Sequence, residues 1–377
     1  MLGTVNRSLA PSSGSTESRV KIPKSVQEAL KTAPIFINTV LVNVPNMPFV
    51  SVTMCHLCRF VILPRQEMIL VCYSAQIVAD YRKYVKMFGA DMDIREVARL
   101  YWERAEGSGA KIPKAMDAAF SAAETVDLRK IQETIDQFAA AQSPKLEQEV
   151  FKQRTRLADA ERTLSVKTTK AATESKRIAT DKIDAALRGI DDLRRTDLKE
   201  RDSRIYPGWY APVMIVQDGQ RTVLPMRYRC RLLGWTAETE KIKDGSYNAR
   251  RDNLKTAWRK LFGFQHGIVI VDWFYENVKR DGNNIVLRFD PTPGQPLLIA
   301  CLWHRWTAPG ELDLWSFAAI TDEPPPEVAA AGHDRCIVPI KPEHVDQWLN
   351  PDPRNLAAQY AILDDRERPY YEHQMAA

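Results

Sequence analysis

The chain has 377 residues, 45% of them hydrophobic and 27% charged, which is the composition of a folded protein with a full hydrophobic core. The length allows one to three domains. The formal net charge of +5 and the pI of about 8.8 permit a polyanionic partner such as nucleic acid, but they do not require one.

Membrane and secretory sequences are excluded by the apolar pattern. No apolar run reaches the roughly 18 residues that a membrane-spanning helix needs, and Asn and Pro residues interrupt the most apolar early stretch, residues 35–52. Residues 1–18 are polar and Ser-rich and lack the apolar centre of a signal peptide. We therefore expect a cytoplasmic protein with no membrane partner.

The cysteine pattern predicts reduced thiols. The six cysteines are scattered, and a chain without a secretory signal seldom builds a disulfide framework. Cys55-x-x-Cys58 with His56 supplies half of a zinc site, but a second ligand pair at suitable spacing is missing. We predict no metal and no cofactor.

The first 200 residues divide into three stretches. Residues 1–30 are rich in Ser, Thr and Lys and are typical of disorder, while residues 31–70 are apolar and Pro-punctuated without a clear period. From residue 72 the composition becomes helical, with short helices predicted at 94–105, N-capped by Asp93, and at 113–123.

A long polar helix is predicted over residues 144–200. Its sevenfold apolar stripe has mostly polar residues (Gln153, Lys167, Glu174) at the second apolar position of each heptad. A continuous helix of this length would reach roughly 80 Å. Packing on the parent domain or a helical hairpin is therefore favoured over a coiled coil.

From Tyr206 onwards the pattern changes to short β-type runs rich in β-branched and aromatic residues, separated in part by Gly-containing turns. The predicted strands are residues 213–216, 222–228, 268–274, 285–289, 297–303 and 314–320. A helix is predicted at 253–261. The fold class is therefore α+β, with a mixed or antiparallel β core, surrounding helices and a long helical insertion.

Three polar clusters interrupt this β-rich half, at residues 247–252, 272–277 and 332–339. Each has an ordinary structural explanation when taken alone. Arginine pairs usually face solvent, a Glu at a strand end is usually exposed, and a His beside Asp and Arg is often a structural hydrogen-bonding group.

Together and in this order, the clusters resemble the SOS-response-associated peptidase (SRAP) family, also called abasic-site processing proteins. The matching elements are Asn248-Ala249-Arg250, Phe274-Tyr275-Glu276, Leu302-Trp303, Ser316-Phe317-Ala318-Ala319-Ile320-Thr321 and His333-Asp334-Arg335. The resemblance implies a barrel-like β core within a domain of residues 72–350, a helical insertion at about 92–200 and a C-terminal tail of residues 351–377. The chain departs from the family pattern at Met226-Arg227-Tyr228-Arg229, where the family has Met-Arg-Trp-Gly, and in the helical insertion.

The family opens with a Cys directly after the initiator Met, and Val71-Cys72-Tyr73-Ser74-Ala75-Gln76 resembles the Met-Cys-Tyr-Ser-Ala-Gln opening of a long-insert branch. Bacteria can initiate with Met at a GTG codon, which a reading frame opened too early renders as Val. We therefore expect residues 1–70 to be an over-extended gene model. Met54-Cys55 is a competing candidate, but Cys72 leads directly into residues that continue the pattern.

An N-terminal Cys suits abasic-site chemistry. Its α-amine can form a Schiff base with the aldehyde of the ring-opened abasic sugar, and its thiol can then close a five-membered thiazolidine. The ordinary pKa values, about 7.7–8.0 for the amine and about 8.5 for the thiol, leave part of each group reactive at neutral pH.

The resemblance implies roles for the remaining site residues. Asn248 would position the Cys terminus, Glu276 would shuttle protons and His333 would act as an acid or base. Arg250 would hold a phosphate beside the lesion, and Arg227 and Arg251 are further candidate phosphate contacts. Trp273 and Trp303 are candidates for base stacking, although core packing is the favoured interpretation of both.

The expected function is covalent capture of abasic sites in single-stranded DNA through Cys72, with AP-lyase and autoproteolytic activity as further possibilities, in a nucleoid-associated protein. Two alternatives stay open. One is a cysteine-type peptidase acting on other proteins, with Cys72, Glu276 and His333 as its catalytic groups. The other is a non-catalytic interaction protein built on the charged helical region. Replication or repair proteins are possible partners that the sequence does not identify.

Overall fold

The structure is a computed structural model that describes residues 74–376, except 244–245 and 281, and the backbone of two short strands before them. The chain divides into two compact units, Met1–Ile69 and Leu70–Ala377. In the first unit, β1 (Thr39–Val42) pairs antiparallel with β2 (Val50–Thr53). Cys72 and the Cys55-x-x-Cys58 motif lie outside the described residues.

The second unit contains twelve strands and nine helices among its described residues. The strands are β3 (Ser74–Ile77), β4 (Asp91–Met92), β5 (Arg204–Ile205), β6 (Tyr210–Gln217), β7 (Gln220–Tyr228), β8 (Asn248–Arg250), β9 (His266–Arg280), β10 (Asn283–Thr292), β11 (Leu297–Trp306), β12 (Leu314–Asp322), β13 (Cys336–Ile337) and β14 (Tyr370–Met375). The helices are α1 (Tyr81–Phe88), α2 (Ile94–Ala105), α3 (Lys114–Ala118), α4 (Val126–Val166), α5 (Lys170–Arg194), α6 (Ala237–Ile242), α7 (Pro326–Ala330), α8 (Val345–Leu349) and α9 (Leu356–Asp364).

All twelve strands belong to one sheet whose central path runs β11-β12-β7-β6-β9-β10-β14. An additional pairing of β9 with β11 closes β11, β12, β7, β6 and β9 into a ring. Most pairings are antiparallel, while β7 and β8 run parallel to β12 and β4 runs parallel to β7. The six strands predicted from the sequence and the mixed, mostly antiparallel β core are confirmed.

The hydrophobic core fills the inside of this ring and the layer beneath the helices. On β9, which lies between β6 and β11 in the sheet, every residue from His266 to Val271 is buried, so both of its faces are covered there. Gly267 has the closest contacts there. A Cβ added to it would lie 3.1 Å from both Cys301 Sγ and Val213 Cγ1, so only glycine fits this strand crossing without a shift of its neighbours.

Two of the predicted short helices form, and a third does not. The carboxylate of Asp93 caps α2 by accepting from Arg95 N and Glu96 N, both at 3.1 Å, as predicted. The helix predicted at 113–123 is shorter, ending at Ala118. The helix predicted at 253–261 was wrong. A 3₁₀ turn, Arg251–Asn253, and further tight turns replace it and bury Trp258 and Leu261.

The predicted helix over 144–200 is instead part of an antiparallel hairpin of α4 and α5, which is one of the two arrangements that the sequence favoured over a coiled coil. Lys167 is extended, and Thr169 begins α5 as an N-cap that accepts from Ala172 N. Arg194 pairs with Glu147 at 2.8 Å, and Arg156 Nε donates to Ser175 Oγ at 2.9 Å, so the helices run side by side.

Only the proximal part of this hairpin joins the main core, through Leu128, Ile131 and Ile135 of α4. Beyond these residues the buried side chains of the hairpin pack against each other and lie outside the main core cluster. They are Val150, Gln153, Ala160, Ala172, Ala179, Ile183 and Ala186. In the described part of the chain no helix is both long enough and apolar enough to cross a membrane.

Candidate active site

A buried carboxylate–imidazole pair lies towards the far end of β9. Glu276 is fully buried, and its Oε2 lies 3.2 Å from Nε2 of His333, whose side chain is 2% exposed. His333 follows α7 and the turn at Gly332, whose φ of +100° favours glycine. A Cβ at Gly332 would lie 3.9 Å from Cβ of Val278, so this turn packs beside β9 two residues beyond Glu276.

The contacts of the second imidazole nitrogen, Nδ1, bear on the tautomer of His333. Nδ1 of His333 is 2.8 Å from the carbonyl oxygen of Arg335, which can only accept a hydrogen bond, whereas Arg335 N is farther away at 3.3 Å. With a proton on Nδ1, the contact to Glu276 holds one more proton, on either Nε2 or the carboxyl group. Such a pair can deliver and retrieve a proton.

β3 brings the beginning of the described second unit to this pair. Ser74 pairs with Tyr275 and Ala75 with Phe274, so strands β3 and β9 run antiparallel beside Glu276. Arg204 Nε also donates to Ser74 Oγ at 3.1 Å. Cys72, two residues before Ser74, is outside the described residues.

Asn248 enters the same region from β8. It is 5% exposed and pairs in the sheet with Ala319 of β12. Tyr228, which is stacked on Phe317 with ring centroids 5.2 Å apart, donates from its hydroxyl to Asn248 Oδ1 at 3.2 Å. Its ring is therefore held in the protein interior at the position where the family pattern has a Trp.

A small apolar cavity of about 20 Å³, the space of a single water molecule, connects these elements. Its lining includes Ser74 of β3, Tyr228 beside Asn248, Phe274 two residues before Glu276, and Ile337 four residues after His333. Asn248, Glu276 and His333 are thus each close, in the sheet or along the chain, to a residue that lines this cavity together with the start of β3.

The three arginines singled out from the sequence differ in availability. Arg250 is the most exposed, at 42% of its side chain, and it pairs with Asp252 at 2.7 Å. Arg251 lies between Asp322 and Asp364. Arg227 is mostly buried against Glu240, and burial lowers the pKa of its guanidinium. The geometry leaves Arg250 best able to meet a phosphate.

Glu240 is the centre of a buried charge cluster that the sequence did not indicate. It pairs with Arg227, with Arg231 at 2.9 Å and with Arg229 at 3.8 Å. Arg229 occupies the family's Gly position and has a φ of +153°, a backbone conformation that L-residues rarely adopt. The side chain of Arg229 donates to the carbonyl oxygen of Glu240 at 2.5 Å.

A second cluster, here called the aromatic–arginine cluster, lies on the outer part of β9 and its neighbours. The Arg288 guanidinium stacks 3.6 Å over the Trp273 ring, and the Arg204 guanidinium lies 3.6 Å over the Tyr275 ring. Tyr275 donates to Glu200 at 2.9 Å, and burial together with this contact raises its pKa to about 12. Of these residues the sequence singled out only Trp273 as a candidate contact, because their pairing depends on segments far apart in the chain.

Trp303 has a packing role, which agrees with the favoured interpretation. Its Nε1 donates to the carbonyl oxygen of His266 at 3.0 Å, and its ring lies 5.4 Å from that of Trp315. Cys230, Cys301 and Cys336 are buried free thiols whose pKa values burial raises, that of Cys230 to about 12. Within the described residues no cluster of His, Cys, Asp or Glu could hold a metal ion.

Comparison with known proteins identifies the family. Residues 160–376, more than half of the chain, match the sequence profile of the SOS response associated peptidase (SRAP) family. This chain belongs to the SRAP family. The SRAP residues singled out from the sequence, Asn248, Glu276 and His333, all lie within the matched range, whereas Ser74 and Cys72 precede it.

Among relatives, the "Abasic site processing protein YoaM" of Bacillus subtilis is 30% identical over 166 residues, covering 43% of this chain and 70% of the relative. Two crystal structures show weaker likeness. One, from Bordetella bronchiseptica, is 21% identical with a TM-score of 0.39, covering 46% of this chain and 87% of its own. The other, from Bacteroides thetaiotaomicron, is 16% identical with a TM-score of 0.38, covering 46% and 77%.

Proposed function

We propose that this SRAP protein captures abasic sites in single-stranded DNA as a covalent crosslink through Cys72, which acts as an N-terminal residue. The observation that carries the proposal is the pairing of Ser74 with Tyr275, directly beside the buried Glu276–His333 pair. Cys72 is only two residues before Ser74, and two residues span at most about 7 Å. Cys55 is nineteen residues from Ser74 and has no such constraint.

The chemistry follows from the two groups on the Cys terminus. The α-amine adds to the C1′ aldehyde of the open sugar, and the resulting carbinolamine loses water to give an imine. The thiol sulfur then bonds to the imine carbon while its proton passes to nitrogen, which closes the thiazolidine. Each step moves one proton, and general acid–base catalysis by positioned side chains typically accelerates such steps 10²- to 10⁴-fold.

In this proposal the Glu276–His333 pair supplies those proton transfers. It delivers a proton to the departing hydroxyl and accepts one from the attacking amine, and the carbonyl of Arg335 fixes the imidazole. Asn248 orients the Cys terminus, and Arg250 holds a flanking phosphate with its planar fork. Arg227 and Arg251 are engaged by carboxylates, so in this proposal they are secondary to Arg250 as phosphate contacts.

Two finer activities belong to the same proposal. An imine at C1′ makes strand cleavage by β-elimination possible when a base removes the adjacent proton, which would be an AP-lyase activity. Self-removal of a leading residue would account for the word peptidase in the family description. The name of YoaM supports abasic-site processing as the general function.

The proposed chemistry also requires Cys72 to be the N-terminal residue of the functional protein. An internal Cys has no α-amine and forms no thiazolidine, so residues before Cys72 must be absent or removed. We therefore infer that residues 1–70 are a translational over-extension and that the functional domain begins at Cys72.

The test is a denaturing gel of protein incubated with single-stranded DNA that carries one abasic site. Two forms are compared, the full 377 residues and a chain that begins Met-Cys72, each with a Cys72→Ala control. The expected result is a heat- and detergent-stable shift from the Met-Cys72 form that Cys72→Ala abolishes. A peptidase acting on other proteins would keep its activity with residues before Cys72, and an absent shift in both forms would refute covalent capture.

A further inference from the structure

The charges of the α4–α5 hairpin are distributed unevenly along its length. Its distal part, residues 150–173, carries a net charge of +4 from six basic residues and two acidic ones. These are Lys152, Arg154, Arg156, Arg162, Lys167 and Lys170, with Asp159 and Glu161. The proximal stretch of α4, residues 126–149, has three basic and five acidic residues, a net charge of −2. The hairpin is therefore polarised, with a basic distal end.

The ion pairs sharpen this polarity. Asp159 pairs with Arg162 and Glu161 pairs with Lys176, so both distal acids are neutralised within the hairpin. Within the part of the chain that the structure describes, five distal cations form no ion pair: the half-buried Arg156, which donates to Ser175, and four exposed residues. The four exposed residues are Lys152, Arg154, Lys167 and Lys170.

The basic end extends away from the domain. The last α4 residue packed against the main core is Ile135, and α4 continues to Val166. At about 1.5 Å per residue this is about 45 Å of helix. The buried residues beyond Ile135 contact the partner helix instead of the sheet, so the distal hairpin is a projecting arm.

The surface of this arm suits a sugar–phosphate backbone. A groove of about 580 Å³ between the two helices is lined by Lys152, Arg156 and Asp159 together with hydroxyl residues and alanines, and its lining includes no aromatic or large apolar side chain. Asp159 is paired with Arg162. The hydroxyl residues are Thr155, Thr163, Thr169 and Ser175. Lys, Arg, Ser and Thr are the side chains that typically contact DNA phosphates, whereas a protein interface usually buries aromatic anchors. Phe151, 69% exposed beside Lys152, offers one ring for stacking an unpaired base.

The base of the arm adjoins the candidate active site. Past α5, Arg195 pairs with the buried Asp202, and the carboxylate of Glu200 accepts from the Tyr275 hydroxyl. Tyr275 precedes Glu276 and pairs with Ser74. A DNA strand bound at the site therefore lies beside the root of the arm.

We propose that the distal hairpin, residues 150–173, is a second DNA-binding surface that holds the phosphate backbone flanking the lesion without reading its sequence. This inference rests on the proposed function for the identity of the polyanion. The α4 part of this surface, residues 150–166, is about 25 Å long. At 3.4 Å per nucleotide, the spacing along one strand of a duplex, this corresponds to about seven nucleotides. The arm therefore engages long DNA and not a short oligonucleotide confined to the active site.

The experiment measures noncovalent binding of a 40-nucleotide undamaged single strand by the Met-Cys72 form carrying Cys72→Ala, across a range of salt concentrations. The test variant combines Lys152→Gln, Arg154→Gln, Lys167→Gln and Lys170→Gln. The matched control removes the same charge from exposed proximal residues, Arg129→Gln, Lys130→Gln, Lys145→Gln and Arg188→Gln. Circular dichroism of each variant checks that its hairpin is folded.

We expect the distal variant to bind at least tenfold more weakly near 0.1 M salt. Its slope of log affinity against log salt should fall by about 2–3, since each lost phosphate contact on a single strand removes about 0.7. The proximal control should change affinity less than threefold. Equal losses in both variants, or an unchanged slope in the distal variant, would overturn the inference.

A second experiment, which measures crosslinking, separates this inference from the proposed function. With Cys72 intact, an eight-nucleotide abasic strand should crosslink equally fast in wild type and distal variant, while at limiting protein a 40-nucleotide strand should crosslink more slowly in the variant. If neither strand crosslinks but the distal variant still loses binding, the proposed function fails and the DNA-binding arm stands. If both strands crosslink and the distal variant binds normally, the proposed function stands and the DNA-binding arm is refuted.

Discussion

Replacing Glu276 by Gln tests whether the buried pair transfers the protons of crosslink formation. Glu276 is fully buried and 3.2 Å from His333, and Gln keeps its shape while removing the group that ionises. Losing general acid–base catalysis typically slows a reaction 10²- to 10⁴-fold, which is about 3–5 kcal/mol in barrier height. We expect a loss within this range in the single-turnover crosslinking rate.

The fold should tolerate this change. If Nδ1 of His333 donates to Arg335, Nε2 can accept from the side-chain amide that Glu276→Gln introduces, so the pair keeps a hydrogen bond. The free energy of unfolding should therefore fall by no more than about 1.5 kcal/mol. Glu276→Ala would instead leave a buried imidazole nitrogen without this partner, at a cost of about 1–3 kcal/mol.

The assay combines rapid quenching on denaturing gels with chemical unfolding of the same samples. Glu372→Gln, an exposed position on β14, is the matched control and should change neither quantity. Because the two side chains act as one unit, Glu276→Gln combined with His333→Gln should be little slower than the slower single variant. A folded Glu276→Gln protein that crosslinks within threefold of wild type would refute the reasoning.

Three further predictions concern stability, measured by urea unfolding. Burial holds the folded-state pKa of His266 at about 3, below its ordinary 6.5, so stability from its neutral form is present above pH 6.5 and is lost as the pH falls towards 3. The loss approaches about 1.4 kcal/mol per pH unit. In His266→Gln the free energy of unfolding should therefore depend less steeply on pH than in wild type, and an unchanged dependence would contradict this. Phe274→Ala, which removes a buried ring stacked on Phe289, should lower the free energy of unfolding by about 3–5 kcal/mol. A decrease below about 1 kcal/mol would show that this core layer is loosely packed. Glu240→Gln should lower the free energy of unfolding by about 3–5 kcal/mol, because buried arginines lose their carboxylate partner. The same change at the exposed Glu238 should leave the free energy of unfolding nearly unchanged, and equal effects of the two variants would contradict the buried-cluster argument.

The sequence predicted the sheet well because its strands carry a local signal. The run at 268–274 contains β-branched and aromatic residues that few other structures accommodate, and the structure extends it at both ends into β9. Asp93 likewise carries its own cap signal. The helix expected at 253–261 failed because burial of Trp258 and Leu261 selects tight turns over the regular period. β14 was not predicted, since Tyr370–Met375 alternates weakly and forms by pairing with β10.

The candidate site was predictable in its residues but not in its contacts. Glu276 and His333 were singled out by family resemblance, and the structure brings them to 3.2 Å. The partners of Arg227 and Arg251 were not foreseen, because Glu240, Asp322 and Asp364 have no sequence pattern that ties them to those arginines. Pairings of this kind depend on tertiary folding, which local sequence does not encode.

The α4–α5 hairpin also bears on how the chain connects β3 to β5. Gln76 pairs with Arg204, so a very long connection must close on itself for these two strands to meet. The entropy lost on closing a flexible loop grows only logarithmically, by about 0.6 kcal/mol for each doubling of its length. The hairpin reduces the effective length further, because α5 brings the chain back beside the middle of α4, where Arg194 pairs with Glu147 and Gly189 lies against Leu146. Helical turns beyond that point can therefore be added or removed with little effect on sheet closure, which makes the reach of the arm a separately adjustable property of this protein.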